Sequence, residues 1–366
     1  MRDRFVGCLL GGAVGDALGA PVEFLDYAEI LERFGPAGIT SYAPAYGRLG
    51  AITDDTQMTL FTAEGLIRRH VRLLTRGVAS TEGMVAAAYA RWFRTQSKPR
   101  PGFEEDEEGL GWLYSHADLH HRRGPGTTCL GALRAMTVRG DPARNNSKGC
   151  GGVMRMAPVG LVFGQGRGAP HETMTLGKSL AALTHGHPTG FIAAGALAVL
   201  IAEIVQGRGL VDALLVVHAC LADEVDGRET EEALAQAESM AAKLPQDPAT
   251  AIAHIGGGWI AEEALAIAVY CALTARDFAG GVIRAVNHGG DSDSTGSITG
   301  NILGALWGVD AIPTSFLEPL ELREVITELA VDLATFLDWD IAETDDEGAR
   351  PNRALRKRVW KKYPGY

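Results

Sequence analysis

QMTLFTAEGLIRRHVRLL, Gln57–Leu74, returns an apolar residue every three or four positions, the period of a helix with one buried face. The same rhythm recurs at Gly83–Thr95, Thr128–Val138, Leu210–Val225, Thr230–Lys243, Ala261–Thr274, Asp277–Asn287, Thr299–Trp307 and Glu321–Leu337. No series of alternating β-branched strands appears, and no GxGxxG opens a βαβ unit. The pattern predicts an all-α bundle, with Gly11–Phe24 as a buried N-terminal helix or helix-turn. The most apolar stretch, Gly190–Val205, contains Glu203 and is short for a bilayer span, so it reads as a buried helix.

The chain has 366 residues, 46% apolar and 22% charged, an ordinary globular composition. A formal charge of -11 argues against duplex nucleic acid or an anionic membrane as the main partner, since both need a broad basic surface. Five cysteines, an odd number with no CxxC spacing, fit free thiols in a reducing cytoplasm. The start is a poor secretory signal, broken by glycines and Asp16. No low-complexity linker divides the chain, so residues 1–343 are expected to form one catalytic domain. Residues 344–366 form a basic tail, whose Leu355, Val359 and Trp360 are expected to pack on the acidic body. The acidic stretch Lys98–Gly109 reads as a solvated surface loop.

Two short acidic clusters stand out from small, apolar surroundings: Asp54 and Asp55 in AITDDTQMTL, and Asp291 and Asp293 in NHGGDSDSTGSITG. Asp54 and Asp55 can reach one point if the first lies in a loop and the second at a helix N-cap, where oriented N–H groups stabilise both charges. With Thr53, Ser292, Ser294 and Thr295 they supply the hard oxygen donors that Mg²⁺ or Mn²⁺ prefer. Each pair would serve equally as a helix cap. A zinc site is disfavoured, because no closed His/Cys spacing accompanies His288.

NNSKGCGGVMRMAP, Asn145–Pro158, allows close backbone approach to an anion, with Ser147 and Lys148 adding a hydroxyl and a cation; a tight structural turn explains the glycines as well. In THGHP, His185 is open to a structural role or a ligand role. HIGGGWIAEEA, His254–Ala264, presents Trp259 on a glycine loop, for stacking on a base or for filling core volume.

In chain order, GCLLGGAVGDALGAPVEF, TDDT, GCGGVMRMAPVG, LTHGHPTG and NHGGDSDSTGSITGNILGALWG resemble the ADP-ribosylglycohydrolase family over residues 5–308. The resemblance implies a compact all-α fold with a cleft whose base holds two divalent cations, Mg²⁺ or Mn²⁺. It implies hydrolysis of a ribosyl C1″ bond with release of ADP-ribose. Carried onto this chain, the metal ligands are Thr53, Asp54, Asp55, Asp291, Asp293 and Ser294, the last standing where several members have threonine. Glu23, Asp54 and Asp55 are the catalytic candidates, with Glu23 as acid/base; its alternative is an ordinary helix-end charge. The diphosphate would meet Ser147, Lys148, Gly149, Cys150, Gly151, Gly152 and His185, with Cys150 where some members have asparagine. Trp259 would lie beside the adenosine. ADP-ribosylarginine on protein is the first substrate expected, because LTHGHPTG and GCGG resemble the arginine-directed branch. O-linked ADP-ribose, O-acetyl-ADP-ribose, another small ADP-ribose conjugate, or a silent ADP-ribose-binding module are the alternatives. A cytoplasmic monomer is expected, with no membrane or nucleic-acid partner.

Overall fold

The structure, a computed structural model, describes residues 1–96, 107–166, 168–243, 247–342 and 352–365. Most of the expected Lys98–Gly109 loop and the first part of the basic tail lie outside them. Among the described residues the architecture is all-α, with only two isolated bridges, Ala45 with Arg48 and Gly149 with Ile260.

At its centre the helix Arg2–Gly19 lies antiparallel against Ser292–Trp307. Glycines recur every fourth residue on both contact faces. A methyl at Gly7 would stand 2.4 Å from the Gly304 carbonyl oxygen, one at Gly11 2.3 Å from that of Gly300, and one at Gly15 1.9 Å from that of Gly296. The reciprocal distances are as short, so the two backbones are in direct contact. Asn301 Nδ2 adds a cross-link, donating to the Cys8 carbonyl at 2.8 Å.

This packing moves both helix boundaries from the positions expected. The first helix runs Arg2–Gly19 rather than Gly11–Phe24, because its glycines serve a helix contact instead of breaking the helix. The other begins at Ser292, not Thr299. The run SDSTGS has weak intrinsic helix propensity, and burial against the first helix overrides it. Other helices begin and end within a few residues of the expected positions, including Pro188–Val205, Ala261–Leu273 and Arg323–Thr335. Tyr27–Phe34, opened by an Asp26–Glu29 capping box, and Pro170–Ala182 had no counterpart in the sequence reading.

Pro188–Val205 is long and apolar enough to cross a membrane, but 89% of it is buried inside the protein, as a core helix requires. Near the chain end, Arg353–Lys362 buries Val359, with Leu355 and Trp360 partly buried against the main core. Lys362 reaches Glu328 and Asp332, and the Tyr363 hydroxyl donates to Asp332 at 2.6 Å.

Gly15→Ala should destabilise the protein by roughly 3 kcal/mol, since neither backbone can yield without opening the pair. Gly131→Ala, on Thr127–Ala135 where a methyl meets nothing within 4 Å, should instead be neutral or stabilise by up to about 1 kcal/mol. Urea unfolding of the two variants measures the contrast.

Candidate active site

The helix pair brings the C-terminal end of Arg2–Gly19 beside the N-terminal end of Ser292–Trp307, and a third helix, Asp54–Arg76, starts at the same place. Thr53 caps that third helix, its hydroxyl accepting from the Asp55 N–H at 3.3 Å. Asp54 and Asp55 are therefore both in the first helical turn; neither is the loop residue or the cap that the sequence reading placed there. The cap itself is fixed from the first helix. Asp16 accepts the Thr53 N–H at 3.0 Å, the Thr56 N–H at 3.1 Å and the Thr56 hydroxyl. One Asp54 oxygen accepts the Gly126 N–H at 3.1 Å, while Asp55 Oδ1 is buried with no hydrogen-bond partner among the described residues.

On the opposite wall Asp291 occupies the N-cap position of Ser292–Trp307 without a side-chain capping bond, and its N–H donates to the Gly257 carbonyl at 2.8 Å. Asp293 accepts the Ser294 N–H at 2.9 Å. Glu23 enters from the turn after the first helix. One oxygen each from Glu23, Asp291 and Asp293 lie within 4.8 Å of one another. Cys150 places its thiol 2.7 Å from Asp291 Oδ2, and Ser294 Oγ is 3.6 Å from the same sulfur.

Six buried carboxylates thus converge: Asp16, Glu23, Asp54, Asp55, Asp291 and Asp293. Among the described residues no Lys or Arg pairs with any of them. All hold their protons more tightly than usual. Burial is the main cause, and the Asp293 charge is next for Asp16, Glu23, Asp54, Asp55 and Asp291. Asp16 is raised to about 7 and Glu23 to about 10. The Thr53 side chain favours the charged form of Asp293, so the two acidic clusters are close enough to act on each other. Such a set needs protons or cations. Its hard oxygens and the unpartnered Asp55 Oδ1 fit divalent cations.

The glycine loop forms the cleft's next wall as a short 3₁₀ turn, Cys150–Gly152. It is tied to the Trp259 loop: the Cys150 N–H donates to the Trp259 carbonyl at 3.2 Å, and the Ala261 N–H to the Lys148 carbonyl at 2.8 Å. That bond removes the Cys150 N–H from any anion nest. The Gly149 N–H turns to Ser147 Oγ at 3.4 Å. Lys148 also departs from expectation, because its Nζ meets Glu229 at 2.8 Å and Glu262 at 2.5 Å, so its charge is already matched. His185 is buried under Gly149 and Gly151. Trp259 is half-exposed and stacks on Phe24, with ring centroids 6.0 Å apart and planes 19° apart.

Sequence reasoning passed over Asp16, Phe24 and Tyr46. A lone acid inside GAVGDALG was the available signal for the first, and Phe24 directly follows Glu23. Tyr46 has φ +50°, unusual for a bulky residue, and Arg123 sits over its ring at 5.1 Å. Its hydroxyl lines the Gly124 corner together with Asp54 Oδ1 and Glu23 Oε2. Nothing in AYGRLG announces that placement.

Residues 1–341 match the ADP-ribosylglycohydrolase family. A protein of Archaeoglobus fulgidus is 30% identical over 353 residues, covering 91% of this chain and 96% of that one. The ADP-ribosyl-[dinitrogen reductase] glycohydrolase of Rhodospirillum rubrum is 28% identical over 327 residues, covering 88% and 92%. A solved structure described as an ADP-ribosylglycohydrolase-related protein complex superposes with a TM-score of 0.65 at 28% identity, covering 92% of this chain and 98% of that one.

The raised acids make the metal-free protein sensitive to pH. Each binds its proton more tightly folded than unfolded. The stability this contributes is complete below the unfolded value of about 4. It is lost as pH rises through the folded values of about 7 for Asp16 and about 10 for Glu23. Chelated protein should therefore melt at progressively lower temperature between pH 5 and 8.5, and saturating Mn²⁺ should raise the melting temperature most at the alkaline end. Paired calorimetric scans with chelator and with Mn²⁺ check this; a gap that narrows with pH contradicts it.

Proposed function

The chain belongs to the ADP-ribosylglycohydrolase family, and on that premise we propose that it hydrolyses the ribosyl C1″ bond of ADP-ribosylated substrates with the help of two divalent cations. Protein-linked ADP-ribosylarginine is the first substrate in this reading. The observation that carries it is the convergence of Glu23, Asp291 and Asp293 within 4.8 Å, beside an Asp55 oxygen that no protein donor satisfies. A silent ADP-ribose-binding module would have no need of so many buried acids, which destabilise the fold when left without cations.

Thr53, Asp54, Asp55, Asp291, Asp293 and Ser294 would hold the Mg²⁺ or Mn²⁺ ions. Bound there, the cations would lower the pKa of a water and orient the distal ribose hydroxyls. The chain's own residues do the rest. Asp16 holds the Thr53–Thr56 turn rigid, so that Asp54 and Asp55 face the cleft. Glu23 is the acid/base: its carboxylate stands at the same corner of the cleft as Asp54 Oδ1 and the Tyr46 hydroxyl, where it can give a proton to the departing nitrogen or oxygen and accept one from water. The Gly149–Gly152 turn and His185 would receive the diphosphate, and Trp259 with Phe24 offers the adenine a flat apolar face. The forms LTHGHPTG and GCGG favour the arginine linkage over the serine linkage.

Release of free ADP-ribose from ADP-ribosylarginine, with and without Mn²⁺, is the direct test, with a serine-linked substrate as the comparison. No release from either substrate at saturating Mn²⁺ would overturn the reading. Metal titration by calorimetry should count two ions. Asp55→Asn nearly keeps the shape and breaks no protein hydrogen bond at Oδ1. It should lower turnover about 100-fold or more while leaving the chelated protein folded, with a melting temperature equal to or above that of the chelated wild type. Near-normal turnover in a folded, metal-deficient Asp55→Asn protein would defeat the mechanism.

A further inference from the structure

Arg155 lies between the glycine turn and the helix Ala157–Phe163, with none of its surface exposed. A buried guanidinium ordinarily meets a carboxylate. Here it contacts Met58 Sδ at 3.3 Å, Cys129 Sγ at 3.4 Å and Thr184 Oγ1 at 2.6 Å, and sits 4.5 Å from the centre of the Tyr89 ring. Its Nε has no hydrogen-bond partner among the described residues. Among the described residues none of its contacts is a carboxylate.

The guanidinium can only donate, so Thr184 Oγ1 must accept from it. The hydroxyl proton then has three places to go: His185 Nδ1 at 2.8 Å, the Ala181 carbonyl at 3.4 Å, or the weakly accepting Cys129 sulfur. The shorter, stronger bond is to Nδ1. An oxygen already bound to a cation is also a better donor and a poorer acceptor, which disfavours a ring carrying its hydrogen on Nδ1. Burial first, and then the Arg155 charge, hold the imidazole neutral, with its pKa lowered to about 3. Nε2 has no protein partner among the described residues and points at the glycine turn. Methyls placed at Gly149 and Gly151 would lie 3.6 and 3.4 Å from it.

We propose that Arg155 and Thr184 are positioning residues that lock His185 in its Nε2–H tautomer, so that a neutral ring presents a fixed donor to an anionic diphosphate at the Gly149–Gly152 turn. Behind that donor the buried Arg155 charge acts through a medium that screens it little. The inference rests on the preceding reading of the turn as the diphosphate site.

The test uses the full chain with ¹⁵N-labelled histidine, His185→Gln assigning the ring resonances, together with calorimetric binding of ADP-ribose and of adenosine. The free wild-type protein should show the Nε2–H form of His185, a readout that needs no variant to fold. Thr184→Val should lose the fixed tautomer and bind ADP-ribose about 10-fold more weakly, with adenosine binding unchanged. Thr184→Ser should restore both. An Nδ1–H ring in the wild type, or a Thr184→Val protein with unaltered tautomer and ADP-ribose affinity, would overturn the relay. ADP-ribose that fails to bind wild-type protein would overturn the functional reading and the ligand assigned to His185, whereas binding that Thr184→Val leaves intact overturns the relay alone.

Discussion

Where Arg2–Gly19 crosses Ser292–Trp307, the carbonyl oxygens of each backbone stand 1.9–2.5 Å from the points where the other would carry a methyl at Gly7, Gly11, Gly15, Gly296, Gly300 and Gly304. Only glycine permits that distance. Each such residue is unfavourable in an isolated helix, so the pair is held by burial and dispersion between two long surfaces. Closeness also fixes the register, because a shift of one residue would drive a side chain into a backbone. The register in turn sets Asp16 and Glu23 against Asp291 and Asp293, from sequence positions more than 260 residues apart.

Within the acid cluster the six carboxylates have different tasks. Asp16 spends its lone pairs on three donors from the Thr53–Thr56 turn, and thereby acts as a strut between helices. Asp54 has one oxygen tied to Gly126. Asp55 leaves one oxygen wholly unsatisfied, and Glu23, Asp291 and Asp293 crowd one another. A fold selected for stability alone would not gather like charges away from water. The arrangement makes sense as a site whose neutralising charges come from outside the chain.

Helical period made the fold class legible, because it repeats over most of the chain and depends only on which face is buried. The acidic clusters were legible for a related reason: acids among glycines and small hydroxyls conflict with their surroundings. What stayed hidden depended on contacts distant in sequence. The glycines of the first segment could not be told from helix breakers until the facing glycines of the last were known. Lys148 looked like an anion ligand because nothing nearby in sequence announced Glu229 and Glu262. Tyr46 reaches the cleft only through a left-handed backbone angle and the Arg123 guanidinium, neither of which AYGRLG encodes by pattern.

Two sets of buried charge therefore lie on either side of the glycine turn, and their signs are opposite. Among the described residues the carboxylates meet no cation, while Arg155 contacts no carboxylate and reaches the turn through Thr184 and His185. If the chain were free to relax, these groups would be expected to pair, since each is costly alone in a medium of low polarity. The glycine-packed helices keep them apart: the acids are anchored on Arg2–Gly19, Asp54–Arg76 and Ser292–Trp307, and Arg155 below the turn. Under the proposed function one extended ligand relieves both, its ribose end meeting cations on the acids and its diphosphate facing the donor backed by Arg155. Binding would then draw on electrostatic free energy that folding leaves unspent, and the ligand's orientation would follow from the two signs.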